Sequence, residues 1–355
     1  MRNKIAAPAK IESSTPAISV ILFEKCNSFR GEMELNAYLY DAVGNDEKIE
    51  IEDIDIKKLD RRKLLWVDLR KRDAKMLASV AKALQLDNIP VRTIAGETRR
   101  PKIDKFDDFF QFCIDSIITK EQDRPGKLPI DFIVGKNFVV TIHDGEVGYF
   151  NDFRRREKGE TTLGELDAES FVATLLDMHI VTYFRALEEI ELQIDELDEK
   201  VLKTDMETQA FLAGVVELRA RASMLRRWLM PQRDVIYSLS RADFRQIAES
   251  DSLEQYKMLN VHFENAVNAI ESARDTVLST FELYATRASH RMNVFIQRLT
   301  FFTVLLGTLA VVAGVLGMNY KVDFFESSNG FWLTIAGMTL VAITTTVFAR
   351  MKRWI

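Results

Sequence analysis

The sequence predicts an α+β domain, then long helices, then two C-terminal helices long enough to cross a membrane. Three observations carry this. Residues 18–164 mix short apolar runs with helical spacing. From about 165, Pro and Gly nearly vanish, with Gly214 and Pro231 the interruptions before the tail. Between Arg298 and Arg350 the charged residues are Lys321, Asp323 and Glu326, all in one short gap between two apolar runs. The averages, 47% hydrophobic and 28% charged, resemble those of an ordinary globular protein and conceal this unevenness.

The first seventeen residues read as a flexible tail, because M-R-N-K-I-A-A-P-A-K is basic but lacks the apolar stretch of a secretory signal. In the α/β domain (18–164), Ile18–Phe23, Leu64–Leu69, Phe109–Ile118, Ile130–Val134 and Phe138–Ile142 read as strands, and Asp73–Leu86 has helical spacing. Pro90, Pro125-Gly126, Gly135 and Gly145 punctuate these segments as turns.

The stalk (165–298) opens with Leu187, Ile190, Ile194, Leu197 and Val201, a stripe at alternating spacings of three and four. Seven acidic residues flank it, from Glu188 to Glu199, and read as a solvated face, because a metal box needs carboxylates from several elements. A second helix is expected over roughly 206–246, broken or kinked at Pro231. The third begins near 252, with Phe263, Val267, Ile270, Val277, Phe281 and Tyr284 as its stripe and Arg274 filling one gap. Nothing interrupts it before Met318, so one helix on the order of 100 Å is expected.

Leu299–Met318 and Phe331–Ala349 are uncharged runs of spanning length, joined by a loop at 319–330 and followed by the basic end 350–355. Arg287, Arg291 and Arg298 precede the first run; Arg350, Lys352 and Arg353 follow the second. The positive-inside rule therefore places both termini in the cytoplasm, with Trp332 and Trp354 at the interfaces. Thr303, Gly307, Ala310, Gly314 and Gly317 form a stripe of small residues on the first span. Such a stripe serves close helix packing or a pore wall, and an oligomer accommodates both, since two spans cannot enclose a conduit alone.

Charge and composition exclude several functions. Four of the 48 Lys+Arg and two of the 53 Asp+Glu lie beyond residue 298, leaving 44 against 51 in the body. An acidic body argues against nucleic acid as a partner. Cys26 and Cys113 form no metal-binding pair and read as plain thiols in a reducing compartment. His143, His179, His262 and His290 lack ligand spacing and read as packing or surface residues. No phosphate-binding loop or nucleophile triad appears, so an enzyme is not expected.

Gly317-Met318-Asn319, at the outer end of the first of two C-terminal spans, resembles the signature of the CorA-type divalent cation transporters. So do Arg100–Asp108 (R-P-K-I-D-K-F-D-D), Gly135–His143 (G-K-N-F-V-V-T-I-H), Leu225–Asp234 (L-R-R-W-L-M-P-Q-R-D) and the basic-Trp end Arg350–Ile355. The likeness runs from about residue 60 to the end. It implies a funnel-shaped homopentamer embedded in lipid, in which first spans line a pore and second spans surround them. It needs no resident cofactor; the cation, Mg²⁺ or Zn²⁺, is cargo. The resemblance makes Gly317, Met318 and Asn319 the selectivity mouth, where Asn319 amide oxygens and Gly317 carbonyls hold a hydrated cation. Pore-lining positions would be Asn293, Ile296, Leu299, Thr303, Gly307, Ala310 and Gly314, with Ile296 and Leu299 as a hydrophobic constriction. Glu282 would form a cytosolic acidic ring.

The sequence also departs from the family pattern. Thr308 stands where a proline is usual, and Tyr320–Asn329 replaces the usual M-P-E-L. That loop brings Lys321, Asp323 and Glu326 near the mouth. Met258 stands where the family's inter-subunit regulatory site has an aspartate. The expected function is passive divalent cation transport in a prokaryotic plasma membrane, magnesium (with cobalt and nickel) first. Zinc transport of the ZntB-like branch is the alternative, and a non-conducting sensor or scaffold the third reading.

Overall fold

The computed structural model describes residues 35–41, 47–50, 53–54, 59, 62–86, 94, 96, 100–120, 124–156, 167–203, 208–248, 252–318 and 328–352. The N-terminal tail, Ile18–Phe23, Cys26, Pro90 and Trp354 lie outside them. The chain divides into two compact units, residues 1–184 with 227–266 and residues 185–226 with 267–355.

The first unit is built on a seven-stranded sheet of order β2-β1-β3-β7-β6-β5-β4. Its strands are β1 (Leu35–Asp41), β2 (Glu47–Ile49), β3 (Lys63–Leu69), β4 (Lys102–Lys105), β5 (Phe109–Lys120), β6 (Arg124–Gly135) and β7 (Phe138–Ile142). Neighbours are antiparallel except β3 and β7, which pair in parallel at the centre. β7 is buried throughout and β3 nearly so, as expected of strands covered on both faces. On one face, Leu65, Val67, Ile133 and Val140 pack with Leu77 and Val80 of α1 (Ala74–Ala83) and with Leu84 at its C-terminal cap. Asp73 starts that helix by accepting hydrogen bonds from the N–H groups of Lys75 (2.7 Å) and Met76 (2.9 Å). On the other face Trp66, fully buried, meets Phe150 and Phe153 of α2 (Gly148–Arg156) and Phe171 of α3 (Ala168–Lys203), edge to face at 5.3–6.0 Å.

Pro125-Gly126 does not mark a turn. It lies inside β6, near the end of the long β5–β6 hairpin, with Thr119 opposite Pro125 and Ile118 opposite Gly126. The last turns of such a hairpin tolerate a proline that a central strand would not. Gly135 is required sterically where β6 turns into β7, since a Cβ there would stand 2.2 Å from the Phe138 ring. β1, β2, β4 and α2 carry no signal strong enough to separate them from loop.

Pro231 interrupts the second long helix as its missing N–H demands. α4 (Thr208–Leu229) gives way to a single 3₁₀ turn, Met230–Gln232, followed by α5 (Arg233–Leu239) and the short α6 (Arg245–Ala248). Gln232, fully buried, then ties the break to the sheet. Its amide donates to the carbonyls of Asp115 (2.9 Å) and Trp228 (2.9 Å) and to Tyr183 Oη (3.1 Å), and its Oε1 faces His179 Nε2 at 3.0 Å. The next residue, Arg233, forks onto both oxygens of Glu264.

α7 runs unbroken from Leu253 to Leu316, 64 residues, and α8 from Ser328 to Met351. In the second unit, Leu187, Ile190, Ile194, Leu197 and Val201 of α3 are all buried. Leu197 closes on Gly214 of α4, and Phe211 stacks on Tyr284 of α7 at 4.1 Å. Arg287 of α7 donates to the Val201 carbonyl at 2.7 Å. The α7 stripe is shifted from the expected one. Phe281 is exposed, while Ala273 and Thr280 are buried. The seam takes the residues just before Arg274 and Phe281, which keeps the arginine's charge out of the core. Thr280 satisfies its hydroxyl on the Thr276 carbonyl. The acidic flank of α3 is turned to solvent apart from the half-buried Asp198, as its sequence implied.

Candidate ion path and supporting polar network

Among the described residues two helices are long and apolar enough to cross a membrane, α7 and α8, the apolar stretch of α7 being its C-terminal part. On α7, Glu282, Asn293, Ile296, Leu299, Thr303, Gly307, Ala310, Gly314 and Gly317 fall within an arc of roughly 120° at about 100° per residue. All are exposed in the single chain. Beyond their own turns of helix, Gly307 and Gly314 have no atom within 4 Å of where a Cβ would stand, so nothing among the described residues requires their smallness. At Gly317 the helix ends. The Gly317 N–H still reaches the Ala313 carbonyl at 2.9 Å, and that same carbonyl lies 3.3 Å from the site of a Cβ. Met318 is exposed just beyond. Asn319, Lys321, Asp323 and Glu326 lie outside the described residues.

Charge is kept off this arc. Between Glu282 and Gly317 it carries none, whereas Arg287, Arg291 and Arg298 fall on a narrow arc nearly opposite. Arg287 shows what that side meets, since it bonds α3. Beyond Arg298 the same side of the helix, with Phe301, Leu305 and Leu309, faces Val341, Thr345 and Phe348 of α8 across an apolar groove. The helix thus has one side that meets the bundle at Arg287 and α8 beyond Arg298, and another, lined by small and polar residues, that is uncovered among the described residues. Thr308, in place of the usual proline, is on the groove side, where its hydroxyl donates to the Val304 carbonyl at 2.8 Å and the helix stays straight-bonded.

The first unit holds its own buried polar network, which sequence reasoning did not find. Asp68 on β3 has no solvent exposure. It accepts from Thr141 Oγ1 (2.7 Å) and Arg154 Nη1 (3.0 Å) and meets His143 Nε2 at 2.9 Å. Burial opposes its ionisation, but the His143 hydrogen bond and the charges of His143 and Arg154 hold the carboxyl below its usual range. His179 is buried with Gln232 as its partner, and desolvation pushes its pKa down to about 4, so it is neutral. Glu169, in the first turn of α3, behaves the opposite way. Burial pushes its pKa up to about 7; its own N–H and Lys136 pull it down, and Asp167 adds to the rise. His143 is thus a buried polar partner of Asp68, His179 a buried residue bonded to Gln232, and His262 a surface residue paired with Asp177 at 2.9 Å. Among the described residues no group of three or more His, Cys, Asp or Glu is placed to hold a metal ion.

Comparison with known proteins places these features in a family. The family model described as "CorA-like Mg2+ transporter protein" matches residues 61–352. The cobalt/magnesium transport protein CorA of Thermotoga maritima is 24% identical over 262 residues, 72% of this chain and 73% of that protein. The complete structure of the CorA magnesium transporter from Methanocaldococcus jannaschii superposes with a TM-score of 0.70 at 19% identity, covering 91% of this chain and 99% of that one. The ZntB cytoplasmic domain of Vibrio parahaemolyticus matches with a TM-score of 0.58 at 14% identity, over 73% of this chain and all of that domain. At these identities the structural matches establish the fold.

Proposed function

Because the chain belongs to the CorA-like Mg²⁺ transporter family, we propose that it carries divalent metal cations passively across a membrane. The path would be an oligomeric pore lined by α7, with five copies as the family resemblance implies. The observation that carries this reading is the uncovered arc from Asn293 to Gly317. It is free of charge, supplied with small residues that no packing inside the chain explains, and turned away from both the helix bundle and α8. A wall of this kind leaves room for an ion that keeps part of its water, as Mg²⁺ does. Gly317, Met318 and Asn319 would form the outer mouth, with Asn319 amides and Gly317 carbonyls bonding the ion's water shell. Ile296 and Leu299 would form the constriction and Glu282 an acidic ring toward the cytosol. By the positive-inside rule, the basic residues at both span ends favour an orientation that would keep the N-terminal body and the C-terminus in the cytoplasm. A potential of 100 mV then supplies about 4.6 kcal/mol for a divalent charge, enough to drive uptake without ATP.

Magnesium, with cobalt and nickel, is the first choice of cargo. Zinc is the second, favoured by the outer loop, where Tyr320–Asn329 departs from the usual M-P-E-L. The test is reconstitution of the full chain in liposomes with an inside-negative potential, following Mg²⁺, Co²⁺, Ni²⁺ and Zn²⁺ entry. Magnesium and cobalt flux, cut at least tenfold by Asn319→Ala, is the expected result. A folded oligomer passing none of the four ions overturns the reading and leaves the sensor or scaffold.

A further inference from the structure

The groove between α7 and α8 has a volume of about 730 Å³ and an almost wholly apolar lining. Phe301, Leu305 and Leu309 form one wall, Val341 and Phe348 the other. Four threonines also line it, Thr300 among them; three offer little polarity, because Thr308, Thr344 and Thr345 donate their hydroxyls to carbonyls four residues back in their own helices.

At one end both walls finish in a cation. Arg298 precedes Phe301, Leu305 and Leu309 by three, seven and eleven residues, so it continues their face by one turn. Lys352 follows Phe348 by four, and its N–H still bonds the Phe348 carbonyl at 3.0 Å, so the helical turn and its face continue to it. The helices run antiparallel, which puts Arg298 and Lys352 at the same end. Both are exposed, and neither side chain has a hydrogen-bond or ion-pair partner among the described residues. No acidic residue occurs from 283 to 322 or from 327 to 355, so nothing on either helix near the groove neutralises them.

We propose that this groove is a binding site for an anionic phospholipid of the cytoplasmic leaflet. One acyl chain lies between Phe301 and Phe348, and the headgroup phosphate lies between Arg298 and Lys352, beside the Gln297 amide. The proposal rests on the reading that α7 and α8 cross a bilayer with this end at the cytoplasm. In a bilayer an open apolar groove fills with hydrocarbon whatever the headgroup; the paired cations are what select a net negative charge. Each basic group near the headgroup surface contributes about 1 kcal/mol, a roughly fivefold preference.

The full chain, purified in mild detergent, is exchanged into phosphatidylglycerol or phosphatidylcholine of identical acyl composition, and retained lipids are counted by native mass spectrometry. Preferential retention of phosphatidylglycerol is expected, reduced about fivefold by Arg298→Gln and again by Lys352→Gln, with phosphatidylcholine unaffected. Leu305→Trp, which fills the groove, should lower retention of both lipids. Equal retention of the two lipids by the unaltered chain overturns the proposal. So does quantitative disulfide trapping of Leu305→Cys between copies, which would show a second chain in the groove. Ion entry into pure phosphatidylcholine liposomes separates the two readings. Flux without lipid preference removes this proposal alone, and lipid preference without flux removes the transport reading alone.

Discussion

Replacing Gly314 by leucine separates a pore wall from a packing seam. Among the described residues nothing beyond its own turn of helix lies within 4 Å of a Cβ at this position, which is in the last turn of α7, two residues before its end at Leu316. Among those residues the change therefore meets no obstruction, and losing a glycine so near a helix end gains less than the about 0.5–1 kcal/mol of helix propensity expected in an interior. The folded chain should be unchanged or slightly stabilised. If the arc lines a fivefold path, each copy adds a four-carbon side chain at one level, and a partly hydrated ion loses its clearance. Liposome flux of Mg²⁺ and Co²⁺ should fall at least tenfold, while the thermal transition and the oligomer's elution volume are preserved. Gly337→Leu is the control. That site is equally open, yet it belongs to α8 and not to the proposed path, so flux should stay within twofold of the unaltered protein. Flux retained by Gly314→Leu in an intact oligomer would refute the assignment of this face to the pore. Dissociation of the oligomer would assign the face to packing between copies.

The buried networks of the first unit make further predictions. Glu169 has its pKa raised to about 7 from the 4.5 of an ordinary glutamate. A carboxyl raised in the folded state contributes its stability below its unfolded pKa and loses it as pH climbs through the folded one, here between about 4.5 and 7. Glu169→Gln should therefore flatten the loss of stability between pH 5 and pH 8 by about 2–3 kcal/mol, read by denaturant titration at the two pH values. Gln232→Leu removes one buried partner from His179, Tyr183 and two carbonyls at once. A cost of about 3 kcal/mol in unfolding free energy is expected, against under ~0.5 kcal/mol for exposed Gln255→Leu.

The sequence shows strand and helix wherever periodicity is strong. β7 falls on Phe138–Ile142 as spaced, α1 on the Asp73 segment, and the break at Pro231 follows from the missing N–H. It fails where pairing decides. Pro125-Gly126 is strand because β5 continues opposite it, and β4 exists because Lys102–Lys105 lies beside Phe110–Cys113. The α7 stripe is off by one residue at Arg274 and Phe281, because two alternating registers share Phe263, Ile270, Val277 and Tyr284, and the choice falls to whichever residue the neighbouring helices can bury. Asp68 is 73 to 86 residues from Thr141, His143 and Arg154 along the chain, a separation at which no spacing rule operates. The Arg298–Lys352 pair at the groove end is invisible for the same reason.

What the sequence determines by itself is the part governed by local chemistry. Two uncharged runs of membrane length, the sign of their flanks, a helix free of breakers, and the small residues along one arc all follow from side-chain identity and a fixed 100° step. Tertiary structure alone decides which arc is used for what. Arg287, the wall that faces α8 and the small-residue face share one helix, and only the placement of α3 and α8 around it shows that the first two have neighbours while the third is left open among the described residues. A helical period tells which residues share a face; it contains no information about what stands opposite.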